Sequence, residues 1–178
     1  MTLISKQLFI LIGDDKTGKT TLQKYIIEKV SKANYERLPT NLEFEIKYSE
    51  INKKYKTISF GNRSFQEKIS EYGSVENYFK NFFKSSDISF ISSHLSVKDI
   101  DEMIINGHKY FYNVTGIFWS NSIENDHLKN SKISLLNWDE RLIIENKLTD
   151  DGDKIEKQLN DIAENILKFL VQKTNNYK

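Results

Sequence analysis

Residues 8–20 read Leu8-Phe9-Ile10-Leu11-Ile12-Gly13-Asp14-Asp15-Lys16-Thr17-Gly18-Lys19-Thr20. The first five form an apolar run of the length expected for a buried strand. The next eight fill every fixed position of the pattern G-x-x-x-x-G-K-[ST], with Gly13, Gly18, Lys19 and Thr20 in its defined places. From Thr20 to Val30, Leu22, Ile26 and Val30 recur on one helical face. Strand, loop and helix is the order this pattern needs. The glycines let backbone N–H groups turn toward a β-phosphate, the lysine reaches the β/γ oxygens, and the last hydroxyl takes Mg²⁺. The stretch predicts a nucleoside triphosphate held by Gly13, Asp14, Asp15, Lys16, Thr17, Gly18, Lys19, Thr20 and Thr21, with Thr20 as the metal ligand.

Outward from this stretch, the 178 residues suffice for one domain with a two-sided core. We expect that domain to span residues 1–172, followed by a polar tail, 173–178. A net charge of +1, from 26 basic and 25 acidic side chains, excludes a bulk field that would draw nucleic acid or an anionic membrane. Local patches leave a protein or nucleic-acid partner open. The chain has no cysteine, which removes disulfides, thiolate nucleophiles and cysteine-ligated metals. No stretch reads as a signal peptide or an 18-residue apolar span, so the expectation is a cytoplasmic protein without membrane contact. Three of the basic side chains are arginines, Arg37, Arg63 and Arg141.

After the first helix, Tyr35 to Leu38 leads into Pro39, which is expected to close a short second strand. Residues 42–55 fit two periods: Leu42, Phe44, Ile46 and Tyr48 alternate as in a strand, while Phe44, Tyr48, Ile51 and Tyr55 follow a helical stripe. The helix is favoured, because one normally follows the second strand of a parallel sheet. Lys56–Phe60 reads as a strand closed by Gly61-Asn62-Arg63, and Phe65–Phe83 as a helix broken at Gly73-Ser74. Ile88–Ile91 is the next strand, and Ser96 to Asp99 has capping spacing before a helix to about Asn106. Tyr110–Trp119 and Leu142–Glu145 complete the strands. Asp153 and Glu156 sit at capping-box spacing ahead of a last helix with Ile155, Leu159, Ile162, Ile166 and Leu170 on one face. This alternation predicts an α/β fold, a three-layer α/β/α sandwich around a mainly parallel sheet of five or six strands. Ligands then belong at the carboxyl ends of the strands, beside the switch in strand order.

The loop resembles the thymidylate kinase version within the P-loop NTPase superfamily, in which an acid and then a base occupy the third and fourth positions, here Asp15 and Lys16. The resemblance implies that Asp15 helps hold an acceptor and Lys16 supports the transferring phosphoryl group. Arg37-Leu38-Pro39-Thr40 is similar to that family's basic-apolar-proline stretch, and Asn62-Arg63-Ser64 to its Asp-Arg at the end of the third strand. The last strand and helix, Leu142 to Leu170, look like the final β-α unit of small P-loop kinases. The chain departs from the family in three ways. Asn62 replaces a carboxylate, residues 95–140 hold no arginine-rich lid, and no apolar run ends in an acidic metal ligand. Lys98, Lys109, Lys129 and Lys132 are candidate substitutes for lid arginines, without their bidentate fork.

These readings imply an ATP-binding phosphotransferase using Mg²⁺ and a nucleotide-like or other small acceptor, with Lys19, Asp15, Lys16 and Arg63 as the catalytic candidates. The alternative is an ATPase or nucleotide-dependent switch, in which His94 at a strand end senses the γ-phosphate or positions water. Otherwise His94 belongs to the turn before the Ser96 cap. Arg63 either contacts phosphate or pairs with a surface acid, and Arg141 is expected to pair with a neighbouring acid. His108 and His127 lack metal-spaced partners. Tyr110, Phe111, Tyr112, Phe118 and Trp119 either stack a base or pack in the core, and core packing is the expectation.

Overall fold

The structure is a computed structural model that describes residues 5–147 and 151–175. β1 (Lys6–Ile12) runs through the middle of the sheet, and its residues alternate between two apolar clusters: Phe9 and Leu11 on one face, Leu8, Ile10 and Ile12 on the other. All five of these side chains are fully buried, which is why the run carries no polar alternation. α1 (Lys19–Ser31) returns along the first face and buries Leu22, Ile26, Ile27 and Val30.

The next segment departs from the sequence reading. No strand forms at 35–38. Instead β2 (Asn41–Glu45) pairs antiparallel with β3 (Thr57–Ser64), and α2 (Ser49–Asn52) is a single turn between them. The two-residue period of Leu42 and Phe44 prevails over the helical stripe because β2 is a sheet edge, wet on one side. The stripe survives only in its second half, where Ile51 and Tyr55 are buried. After β3 come a 3₁₀ turn at Phe65–Lys68, α3 (Ile69–Tyr72) and α4 (Val75–Asn81). The expected break falls at Gly73, whose φ of 71° is left-handed, and the Ser74 hydroxyl caps α4 by accepting from the Asn77 N–H.

β4 (Ile88–Ser93) lies parallel to both β1 and β3. α5 (Val97–Lys109) starts at the expected cap, where Ser96 Oγ accepts from Asp99 N at 3.4 Å, and leads to β5 (Tyr112–Trp119) on the far side of β1. Two helices that sequence reading missed follow: α6 (Ser120–Asn125) and α7 (His127–Ser134), the latter capped by Asp126. β6 (Glu140–Ile144) closes the sheet, and α8 (Gly152–Asn175) packs back onto α1. The cap of α8 is Asp151 rather than the expected Asp153: its carboxylate accepts from Lys154 N at 3.3 Å and its carbonyl from Ile155 N at 3.1 Å. The helix continues past the expected start of the tail, so Lys173 belongs to it and pairs with Glu140. Residues 176–178 of that tail, and residues 1–4 and 148–150 of the expected domain, lie outside the described residues.

The strand order is β2-β3-β4-β1-β5-β6, six strands and parallel everywhere except β2–β3. Apolar clusters cover both faces, one with α1, α2 and α8 and the other with α4, α5 and α7, an arrangement compatible with a three-layer α/β/α sandwich. The chain moves to the β3 side after β1, then crosses to β5 after β4. The carboxyl ends of β4, β1 and β5 therefore meet at the reversal of order. Among the described residues no helix is long and apolar enough to cross a membrane. The aromatic expectation holds for Tyr112, Phe118 and Trp119, all buried, but not for Tyr110 and Phe111, which are 36 % and 85 % exposed at the turn before β5, where Phe111 has φ 64°.

Candidate functional site

β1 delivers Gly13 to this reversal point, where its N–H donates to the Ser93 carbonyl at the end of β4 (3.0 Å). The loop then folds on itself. Thr17 Oγ1 donates to the Asp14 carbonyl at 2.9 Å, and Lys16 adopts a left-handed φ of 64°. A Cβ at Gly13 would lie 2.9 Å from the Thr17 methyl. Gly18 has φ 96°, and a Cβ there would stand 3.1 Å from Leu159 of α8, so both conformation and close approach require glycine. As the N-cap of α1, Gly18 offers no side-chain acceptor, and the first turn holds no acid. The helix therefore opens with uncapped N–H groups and its positive end toward the loop, conditions that suit an anion.

Lys19 is 8 % exposed, and its ammonium donates to the carbonyls of Gly13 and Asp14 (the latter 2.7 Å) and to Thr17 Oγ1 at 3.2 Å. Burial pushes its pKa below the ordinary value, while the carboxylates of Asp15, Asp14 and Glu67 act in the opposite direction. All three ammonium donors are thus met by the loop's own oxygens, in positions that phosphate oxygens can take over.

The loop tip leans on the end of β4. His94 Nε2 lies 3.5 Å from Asp15 Oδ1, and Asp14 Oδ1 accepts weakly from Leu95 N at 3.4 Å. Glu67 completes a group: Asp15, Glu67 and His94 each bring one ligand atom within 4.8 Å of the others, a donor set of two carboxylates and one imidazole suited to a divalent cation. The backbone of His94 also belongs to the turn before α5, with Ser96 N donating to its carbonyl at 2.8 Å. The turn expected before the Ser96 cap is therefore present, with the imidazole directed toward Asp15 of the loop.

Two glutamines that no motif singled out hold these elements together. Gln23, fully buried in α1, donates to Ser92 Oγ at 3.1 Å and to the Gly61 carbonyl at 3.4 Å, tying α1 to the ends of β4 and β3. Gln66 donates to Ser93 Oγ (3.2 Å) and Asp99 (2.8 Å) and accepts from His94 N (3.0 Å). Their only sequence signal is a polar amide beside apolar helical or strand positions.

At the end of β3, Asn62 donates to the carbonyls of Leu38 (2.8 Å) and Pro39 (3.1 Å). A carboxylate has no proton to donate there at neutral pH, so the departure at this position serves a backbone clamp. Arg63 pairs with Glu67 at 3.7 Å, the surface-acid alternative, while still lining the cavity beside the loop. Arg141 departs from expectation by donating to the Ser134 carbonyl (2.6 Å) instead of a neighbouring acid. Of the lysines weighed as lid substitutes, Lys109 ends α5 just before β5 begins, at the opposite end of the strands, and Lys129 pairs with Asp126 at 3.3 Å. His108 bonds Asp139 at 2.9 Å.

Two cavities flank the loop. One of about 310 Å³ is walled by Asp15, Thr20, Thr21, Asn62, Arg63 and Glu67. The other, about 90 Å³, lies toward the ends of β5 and β6 between Lys16, Gly18, Asn121, Asn146 and Gln158. Asn121 is 7 % exposed, and its Oδ1 has no hydrogen-bond partner among the described residues. Against known proteins, the chain matches no family model and no curated sequence.

Proposed function

We propose that the chain binds ATP with Mg²⁺ at the Gly13–Thr20 loop and transfers the γ-phosphoryl group to a small, nucleotide-like acceptor, as a phosphotransferase of the P-loop NTPase superfamily. The observation that carries this reading is the buried Lys19 ammonium, enclosed by its own loop at the point where strand order reverses. Phosphate oxygens replace the Gly13 and Asp14 carbonyls on Lys19, and the uncapped start of α1 receives the remaining negative charge. Thr20 holds Mg²⁺, which neutralises β/γ-phosphate charge when bound. The nucleoside extends toward the smaller cavity, between Gly18, Asn121 and Gln158. The acceptor occupies the larger cavity, where Asp15 orients its attacking oxygen and Lys16 with Arg63 steadies phosphate oxygens. Attack forms the new O–P bond as the bond to the β,γ-bridging oxygen breaks, and ADP leaves.

Asp15→Asn is expected to lower phosphoryl transfer by about tenfold or more while changing ATP affinity by less than about threefold, because the lost charge faces the acceptor. Coupled ADP release with a panel of nucleoside monophosphates, alongside calorimetry of ATP, measures both. No release above the acceptor-free rate with any member of the panel would overturn the transferase reading.

A second reading, an ATPase or nucleotide-dependent switch, is favoured by the contact of His94 with Asp15 at the loop tip. The two diverge at His94→Ala. Under the transferase reading transfer falls by less than about tenfold and ADP affinity is unchanged. Loss of a fast acceptor-independent hydrolysis in this variant would instead assign His94 to positioning water.

A further inference from the structure

We infer that the chain forms a two-fold symmetric dimer through the free edge of β6. Both ends of the sheet are edges, β2 and β6, and they differ in what they present. Among the described residues, no backbone group from Arg141 to Glu145 bonds to anything beyond β5. No proline or lysine interrupts the stretch, and its charged side chains, Arg141 and Glu145, flank the apolar Leu142, Ile143 and Ile144. Ile143 is 69 % exposed on one face. On the other face an open groove of about 400 Å³ runs between Leu142, Ile144 and the α8 residues Ile162, Ile166 and Phe169.

The occupant is argued from charge. A second copy laid antiparallel about a two-fold axis through Ile143 places Ile143 opposite its own symmetry mate and Leu142 opposite Ile144. Arg141 then stands opposite Glu145, the residue that follows β6, twice by symmetry. Opposite charges at directly paired positions stabilise an antiparallel ladder. Centring on Leu142 or Ile144 sets a charged side chain against Ile143 instead. The β2 edge lacks this self-complementarity, since pairing about Glu43 or Phe44 sets glutamates opposite each other. A β6–β6 interface joins two six-stranded sheets into one and closes the β6 edge of each copy in an isologous contact. The grooves beside α8 and its symmetry mate come together over the paired strands.

The test is the mass of the full chain in solution by sedimentation equilibrium, with circular dichroism as the check on folding. Wild type is expected at twice the chain mass at micromolar concentration. Arg141→Glu and Glu145→Arg each create two like-charged pairs and are expected to weaken the dimer by about tenfold or more. The double variant, Arg141→Glu with Glu145→Arg, restores opposite pairs and is expected to return to within about threefold of wild type. Ile143→Asp is expected to be monomeric and folded, because the side chain it replaces is exposed. A monomeric wild type overturns the inference. So does a dimer indifferent to Ile143→Asp and to both charge reversals, or a double variant no tighter than the single ones.

Discussion

Lys19→Ala is expected to weaken ATP·Mg²⁺ binding at least tenfold, about 1.4 kcal/mol, with a larger loss in any turnover. The ammonium is buried among the oxygens of Gly13, Asp14 and Thr17, and in the proposed complex it turns to the β- and γ-phosphate oxygens. Removing it leaves those carbonyls facing phosphate with no donor between them. The pH dependence has a definite sign. Burial lowers the Lys19 pKa below its ordinary 10.5. Between the lowered value and 10.5 the unfolded chain carries a proton that the folded chain lacks, so this group makes stability rise with pH across that window. Phosphate favours the charged form, so nucleotide binding takes up a proton there, and affinity falls as pH rises through the window. Lys19→Ala removes that slope. Calorimetry of ATP at several pH values measures both effects, and equal affinity of wild type and a folded Lys19→Ala protein would falsify the proposed site.

Phe90→Ala is expected to destabilise the fold by about 3–5 kcal/mol. Its ring lies between two others in the centre of the sheet, stacked on Phe9 at 4.7 Å and on Phe60 at 5.3 Å, with interplanar angles of 12° and 9°. This stack crosses β3, β4 and β1, the strands whose ends carry Arg63, His94 and Gly13, so its loss opens a cavity beneath the site. For a chain of this length the melting temperature is expected to fall by roughly 10 °C. Phe111→Ala supplies the control. That ring is 85 % exposed, and its removal is expected to change stability by less than about 0.5 kcal/mol. Chemical denaturation of both variants decides the matter, and a cost under about 1 kcal/mol for Phe90→Ala would mean that the sheet repacks around the gap.

Much of the fold was legible because its signals are local. The apolar run of β1, the stripe of α1, the Ser96 cap and the break at Gly73 each depend on residues within one turn or strand of one another. The errors fall where a local signal met a distant partner. Residues 42–55 carry both periods, and only pairing with Thr57–Gly61 selects the strand. α6 and α7 carry little amphipathic pattern between Ser120 and Ser134; Asp126 and Asn130 tie them to each other, and α7 packs against α5. Asp153 matches the capping spacing, but Asp151, two residues earlier, makes the bonds.

By itself the sequence determined the alternation of strands and helices, the loop with Gly13, Gly18, Lys19 and Thr20, and the acid-base pair Asp15-Lys16, since each is written in contiguous residues. The tertiary structure alone decided that β2 runs antiparallel and that β4 lies beside β1. It also decided that Glu67 and His94 meet Asp15 although 52 and 79 positions separate them from it, that Gln23 and Gln66 tie the strand ends, and that Asn62 serves as a clamp. The physical reason is common to all of these. A side chain's role in a packed site depends on which strand ends the topology brings together, and strand order is fixed by burying two faces of one sheet at once, a property of the whole chain that no short stretch encodes.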